Sequence, residues 1–198
     1  MMDTIPSLLE FLRSAEQLKN TLRSGFTSEG RPESTAEHTW RLTLLAMLVE
    51  EHYPDLDMHR VLKICVIHDL GEAVNGDIAA VDQVAGEDKG DSERTDLLEL
   101  LTPLPDALRN EILDLWDEYE NASTAEARLA KALDKLETVL QHTQGKNPDD
   151  FDYGFNLDYG KKYTDLDELT RLLRASIDKD TQDRALDNNT MNGRERLS

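Results

Sequence analysis

CVIHDLGEAVNGDI, residues Cys65 to Ile78, begins as the core of a helix and ends as a cluster of charges. Val61, Leu62, Ile64, Cys65, Val66 and Ile67 are apolar on every side of a helical wheel, the pattern of a buried helix. Such a helix should end in neutral residues, yet His68, Asp69 and Glu72 follow within about one turn, with Gly71, Gly76 and Asp77 around them. An ionised carboxylate buried without a partner costs several kcal/mol, so a neutralising partner must exist.

Outward from that stretch the helical period dominates, and no sustained apolar-polar alternation typical of half-buried strands is present. The fold class predicted is all-α. A first helix is expected from Ile5 to about Arg23, with Leu8, Leu9, Leu12 and Leu18 on one face. Ser34 and Glu37 have capping-box spacing and open a second helix that reaches His52 and carries His38 in its first turns. The third runs from Met58 to about Ala73. The acidic, Gly-containing connection after Asp77 reads as a mobile rim. Asp91 to Leu101, Asp106 to Tyr119 and Thr124 to Thr143 read as further helices. Asp134 lies beside the apolar stripe of the last of these. Gly145 to Lys162 reads as an ordered loop, and Thr164 opens a final helix. From Thr181 the chain is polar without periodicity, so one domain over 1–180 and a disordered tail over 181–198 are expected.

The 198 residues carry 41 Asp and Glu against 22 Lys and Arg, a formal charge of −19. That field repels nucleic-acid backbones and anionic membranes, so neither a polymeric nucleic acid nor a membrane is expected as a partner. A small phosphorylated substrate stays compatible, because a cation or an Arg cluster reverses the field inside one pocket. The single cysteine, Cys65, lies in an apolar run and packs as a small hydrophobe. With no leader pattern and no stretch of about 18 apolar residues, the expected location is cytoplasmic.

His38, His68, Asp69 and Asp134 each sit near the apolar face of a predicted helix, and helices around one core can bring such residues to a common centre. Two imidazoles and two carboxylates suit a borderline divalent cation, which would be the missing partner of the buried charge. The blander reading makes each His a hydrogen-bonded core residue and pairs Asp134 with Lys131 or Lys135 on a helix face.

The segments RPESTAEHTWRL, CVIHDLGEAVNGDI and ALDKLETVLQH resemble the HD-domain metal-dependent phosphohydrolases, and among them the 5'-deoxynucleotidases, over roughly Leu8 to Leu173. The resemblance implies an all-helical HD-domain bundle, often a homodimer. It implies removal of the 5'-phosphate from deoxyribonucleoside monophosphates with one divalent cation, cobalt or manganese being effective. By position it makes His38, His68, Asp69 and Asp134 the metal ligands and Glu72 and Asp77 catalytic, with Asp77 also touching the sugar. It assigns the phosphate to Arg23, fifteen residues before His38, with Arg31 as a substitute. A planar fork of donors suits that task. A divalent cation lowers the pKa of a water it binds, and a carboxylate beside it can accept or return a proton.

Ser24 stands where bacterial relatives can carry a tryptophan, which leaves the sugar preference open. Dinuclear relatives place extra histidines between the HD pair and the last Asp, whereas none lies between Asp69 and Asp134 here. One metal and a monoester substrate are therefore expected. His52 and His59 are expected at the surface, as is His142. Alternative readings are another HD nucleotide hydrolase, acting on nucleoside triphosphates or guanosine tetraphosphate, and a non-enzymatic metal-binding regulatory protein.

Overall fold

A computed structural model describes residues 4–77 and 89–195. The elements are α1 (Ile5–Ala15), β1 (Leu22–Phe26), β2 (Pro32–Ser34), α2 (Thr35–Val49), α3 (Met58–Ile67), α4 (Glu72–Asn75), α5 (Lys89–Leu100), α6 (Asp106–Asn121), α7 (Ala125–Gln144), α8 (Tyr153–Asp158), α9 (Lys161–Thr164) and α10 (Glu168–Glu195). Helices dominate, and β1 and β2 pair in a two-stranded sheet. The expectation of an all-α protein holds, with that small hairpin as its exception. The chain divides into two compact units, Met1–Ser24 with Glu33–Ala130 and Gly25–Pro32 with Lys131–Ser198.

In the first unit α2 begins at a full capping box. The Ser34 side chain accepts from the Glu37 N–H and the Glu37 carboxylate accepts from the Ser34 N–H, which satisfies two of the helix's orphan donors. Leu42, Ala46 and Val49 then face the core, as do Val61, Ile64 and Cys65 of α3 and Leu115, Trp116 and Tyr119 of α6. α3 packs against both α2 and α6. Asp57 caps the N-terminus of α3 by accepting from the Arg60 N–H, and the Arg60 side chain pairs with the Glu118 carboxylate of α6.

Several sequence expectations need correction. The first helix stops at Ala15, gives way to a 3-10 turn, and is followed by β1, so Arg23 lies on a strand. The third helix ends at Ile67 rather than Ala73: His68 is its C-cap, and a turn over Asp69 to Gly71 separates it from α4. Nor is α3 buried all round, because Val66 is 50 % exposed and Lys63 faces solvent. Gly71 explains why the chain can turn there. A Cβ on Gly71 would lie 2.8 Å from the Glu93 carbonyl oxygen of α5, closer than such atoms come, so only glycine lets α5 pack on the turn.

In the second unit the core holds Leu133, Leu136 and Val139 of α7, Tyr153 of α8 and Ile177 of α10. The span read as a loop, Gly145 to Lys162, contains α8 and the start of α9. α10 starts at Glu168, not Thr164, where Asp167 and Thr170 exchange hydrogen bonds across its first turn. It runs to Glu195, through most of the stretch expected to be disordered. The polar sequence concealed a buried anchor: Thr181 is fully buried, and its hydroxyl lies 2.6 Å from that of Thr143. The connection after Asp77 lies outside the described residues over 78–88. Among the described residues no helix is long and apolar enough to cross a membrane.

Candidate metal centre

The break between α3 and α4 delivers the chemistry. His68 stays buried at the end of α3, and its Nδ1 lies 2.9 Å from the carbonyl oxygen of Cys65. A carbonyl only accepts, so Nδ1 carries the proton and the lone pair of the neutral ring sits on Nε2. Nε2 is 3.1 Å from Asp69 Oδ2. His38, fully buried on the first turns of α2, directs its own Nε2 to the same oxygen at 3.8 Å. The two rings meet edge to face with centroids 5.5 Å apart, and Tyr119 tilts against His68 from the other side at 5.0 Å. His38, His68 and Asp69 each offer a ligand atom, and these atoms lie within 4.8 Å of one another.

A lone pair 3.1 Å from a carboxylate oxygen is repulsive unless a proton or a cation lies between them. Two imidazole nitrogens and one carboxylate converging in this way fit a divalent transition ion, and the Cys65 carbonyl fixes the ring tautomer as metal sites commonly require. Burial disfavours the Asp69 charge, yet the adjacent His68 when its Nε2 carries a proton, then Arg23 and a protonated His38, outweigh it and hold the carboxyl well below the usual range; a bound cation would take the place of those ring protons. Asp69 is therefore ionised and ready to bind a cation.

Arg23 reaches this group from β1, with Nη1 3.2 Å from Asp69 Oδ2 and Nε 4.0 Å from Glu33 Oε2. Its side chain keeps 14 % of its exposure, so the guanidinium borders the cluster from a partly open side. Glu72 opens α4 and is buried. Its Oε2 accepts from the Thr35 hydroxyl at 3.0 Å, and its main-chain carbonyl accepts from the Thr21 hydroxyl at 3.3 Å. Burial first, then the charges of Asp69 and Asp77, push the Glu72 carboxyl up to about 9. Arg23 and the Thr35 hydrogen bond offset only part of this. Glu72 is thus a protonated, donor-capable acid at neutral pH. Gly76 follows at φ +88°, a left-handed turn that precedes Asp77.

The family model for the HD domain matches residues 15–173. The chain belongs to the HD-domain family. This HD-domain chain is 39 % identical over 137 residues to the 5'-deoxynucleotidase HDDC2 of Xenopus laevis, covering 68 % of this chain and 67 % of the relative. It is 37 % identical over 140 residues to the human protein of the same name, covering 70 % and 68 %. A solved structure from Magnetospirillum magnetotacticum, described as a predicted metal-dependent phosphohydrolase, superposes with a TM-score of 0.72 at 26 % identity, covering 94 % of this chain and 97 % of that one. The PH0347 protein of Pyrococcus horikoshii gives a TM-score of 0.62 at 26 % identity, covering 87 % and 99 %.

Of the residues singled out in this HD-domain sequence, His38, His68, Asp69 and Arg23 come together, and Glu72 has its charge environment set by two of them. Asp134 belongs to the second unit. It is buried on α7 with Lys135 Nζ 2.8 Å from its Oδ2, one of the two pairings that the sequence left open. Burial works against the Lys135 charge, but Asp134 and Tyr159 outweigh it and hold the ammonium firmly protonated. Arg31, exposed in the same unit, donates to the carbonyl of Pro32 at 3.0 Å. His52 and His59 are exposed as expected. His142 is not a surface residue: it is half-buried, with Nδ1 3.0 Å from Asn156 Oδ1 and its ring on Phe151.

Sequence reasoning missed Glu33, Thr21, Thr35 and Tyr119. Glu33 reads as one of several charges in a polar loop, but it is buried against Arg23. The threonines reach Glu72 only through the hairpin: the Thr35 N–H donates to the Thr21 carbonyl at 2.9 Å and sets both hydroxyls facing α4. No local periodicity signals that contact.

Proposed function

We propose that this chain is a divalent-cation-dependent phosphomonoesterase that hydrolyses 5'-deoxyribonucleoside monophosphates to the deoxynucleoside and phosphate. The observation that carries the reading is the convergence of His68 Nε2, His38 Nε2 and Arg23 on one oxygen, Asp69 Oδ2. The HDDC2 relatives, named 5'-deoxynucleotidases, supply the substrate class.

His38, His68 and Asp69 hold the cation, and the resemblance adds Asp134 as a ligand. Cobalt or manganese suits such a mixed nitrogen and oxygen set. A divalent cation held there would supply positive charge beside the phosphoryl group and lower the pKa of a water it binds.

The remaining steps belong to side chains. Arg23, held beside the cluster by Asp69 and Glu33, carries a planar guanidinium of the kind that suits phosphate oxygens. Glu72, whose burial favours the protonated carboxyl, would give its proton to the 5'-oxygen as the P–O bond breaks, and the resulting carboxylate would take one from the next water. Thr35 steadies that carboxyl. Asp77, one residue beyond the Gly76 turn, takes the sugar.

The decisive experiment is a panel of deoxy- and ribonucleoside 5'-monophosphates, 3'-monophosphates and triphosphates, with phosphate release measured under Co, Mn, Mg and Zn. Cleavage of the 5'-deoxy monophosphates alone is the expected outcome. Preference for triphosphates, or no phosphate release with any cation, would overturn the reading.

A further inference from the structure

Two threonines grip Glu72 from 37 and 51 positions away in the chain. We infer that one of them, Thr35, is the positioning residue that decides which oxygen of the Glu72 carboxyl handles the proton. The inference rests on the phosphomonoesterase reading only for what that proton is used for. Thr35 is the first residue of α2, where a main-chain N–H has no partner within its own helix. It donates instead to the Thr21 carbonyl at 2.9 Å, which anchors the start of α2 against the residue before β1. The Thr21 hydroxyl in turn lies 3.3 Å from the main-chain carbonyl of Glu72 and 3.2 Å from that of Gln17.

A hydroxyl has one hydrogen to give. Two acceptors lie within reach of the Thr35 hydroxyl, Glu72 Oε2 at 3.0 Å and the Thr21 carbonyl at 3.5 Å. An O–H···O bond belongs at about 2.5–3.0 Å, so only the first distance fits. The Thr21 carbonyl, moreover, already accepts the Thr35 N–H. The hydrogen therefore goes to Glu72 Oε2. Thr35 is fully buried and Glu72 is 6 % exposed, so little solvent competes for that bond.

A protonated carboxyl has one carbonyl-type oxygen and one hydroxyl oxygen, and the first is the better acceptor. Donation by Thr35 makes Oε2 the carbonyl-type oxygen and puts the proton on Oε1. The reverse arrangement, with Oε2 donating to Thr35, would send the Thr35 hydrogen to the carbonyl at 3.5 Å. Among the described residues Oε1 has no hydrogen-bond partner, so no side chain there holds the proton back. When the proton leaves, the electron pair of the O–H bond stays on the carboxylate and Thr35 goes on donating to Oε2. One contact serves both charge states, and the carboxyl does not have to turn during the transfer.

Thr35→Val keeps the shape of the side chain without the hydroxyl, and Thr35→Ser keeps the hydroxyl without the methyl. Infrared difference spectra of the metal-free full chain at mildly acid pH give a readout that needs no substrate: the Glu72 carboxyl band is the one that Glu72→Gln abolishes. Thr35→Val should move this band to higher frequency, because its carbonyl oxygen loses a donor, and Thr35→Ser should leave it in place. In the metal-loaded enzyme Thr35→Val should lower kcat for a deoxynucleoside 5'-monophosphate about 10–100-fold, the scale of a displaced reacting group. KM and metal content should change little, and Thr35→Ser should recover most of the rate. If the valine variant does not fold, Thr35→Ala takes its place in both measurements. A band unmoved by loss of the hydroxyl, no Glu72 carboxyl band at all, an unchanged kcat in Thr35→Val, or a Thr35→Ser enzyme as slow as Thr35→Val would each overturn the inference. Absence of phosphate release from every protein, wild type included, would instead remove the phosphomonoesterase reading, and the infrared band alone would then decide the place of Thr35.

Discussion

Asp69 Oδ2 lies 3.1 Å from Nε2 of His68, on a ring whose other nitrogen is held by the Cys65 carbonyl. With Nε2 unprotonated that pairing brings two acceptors together, and a cation between them would resolve it. Asp69→Asn should therefore abolish stoichiometric metal, read by elemental analysis after dialysis, and should lower phosphate release at least about 100-fold. A ligand that binds only the folded state stabilises it by about 2.7 kcal/mol at a hundred times its Kd. Chelation should accordingly lower the wild-type Tm by roughly 5–10 °C and leave Asp69→Asn nearly unmoved. A variant that keeps its metal would remove Asp69 from the site.

Glu72 gives a prediction with a definite pH sense. Its folded value is raised to about 9 from 4.5. Between those values the unfolded chain is ionised while the folded carboxyl keeps its proton, so the group's contribution to stability falls as pH rises from 4.5 towards 9. The penalty at pH 7 is at most roughly 3 kcal/mol. In metal-free protein, Glu72→Gln should melt with the wild type near pH 4.5 and progressively above it towards pH 8. The same variant should retain metal and lose about 10²–10⁴-fold in kcat. Equal melting curves at both pH values would place an ionised carboxylate here.

These two groups also show which parts of the molecule were legible in the chain. The capping box at Ser34 and Glu37 and the buried faces of α2 and α3 are local signals, because spacing along a helix determines which residues share a side. The meeting of His38 with His68 and Asp69 is a contact between elements that the resemblance implied, in a set that also held Asp134, and that periodicity alone does not give. The end of α3 was not legible, since His68 to Gly71 continues to read as helix. What ends it is the close approach of α5 at Gly71, a contact with a residue more than twenty positions away. β1 escaped notice for the same reason: five residues, LRSGF, acquire strand character only by pairing with β2. Arg23 was identified by position, but its hold on Asp69 depends on that hairpin. At the other end of the chain, α10 extends past its apolar repeat on a pair of buried threonine hydroxyls that hydropathy does not register.

Arg23 separates binding from chemistry. Its Nη1 is engaged by Asp69 at 3.2 Å and its Nε lies 4.0 Å from Glu33, which fixes the guanidinium from which the proposed phosphate contact would be made. Arg23→Lys keeps the charge and loses the fork. KM for the monophosphate should rise about 10–100-fold, and inhibition by inorganic phosphate should weaken in proportion. kcat and metal content should change little. A fall in kcat with KM unchanged would mean that Arg23 acts on the transition state alone, and loss of metal would mean that it serves chiefly to hold Asp69.

The turn that carries the centre rests on Gly71, and its substitution tests the architecture rather than the chemistry. Its φ of −59° is ordinary for any residue, so backbone strain is not the reason for glycine. The reason is space: a Cβ would sit 2.8 Å from the Glu93 carbonyl oxygen and 3.5 Å from the Leu97 nitrogen, both backbone atoms of α5 that cannot rotate away. Gly71→Ala must therefore push α5 outward or displace the His68–Asp69 turn. Forced overpacking of this kind costs about 1–3 kcal/mol, or a Tm lowered by roughly 2–10 °C in a chain of this length. Because Asp69 and Glu72 flank the turn, metal affinity should fall along with stability. If the turn moves, Gly71→Ala weakens cation binding, measured by titration calorimetry at a temperature where the variant is fully folded. Unchanged affinity with a lowered Tm would show that α5 yields instead and that the turn is held from the α3 side alone.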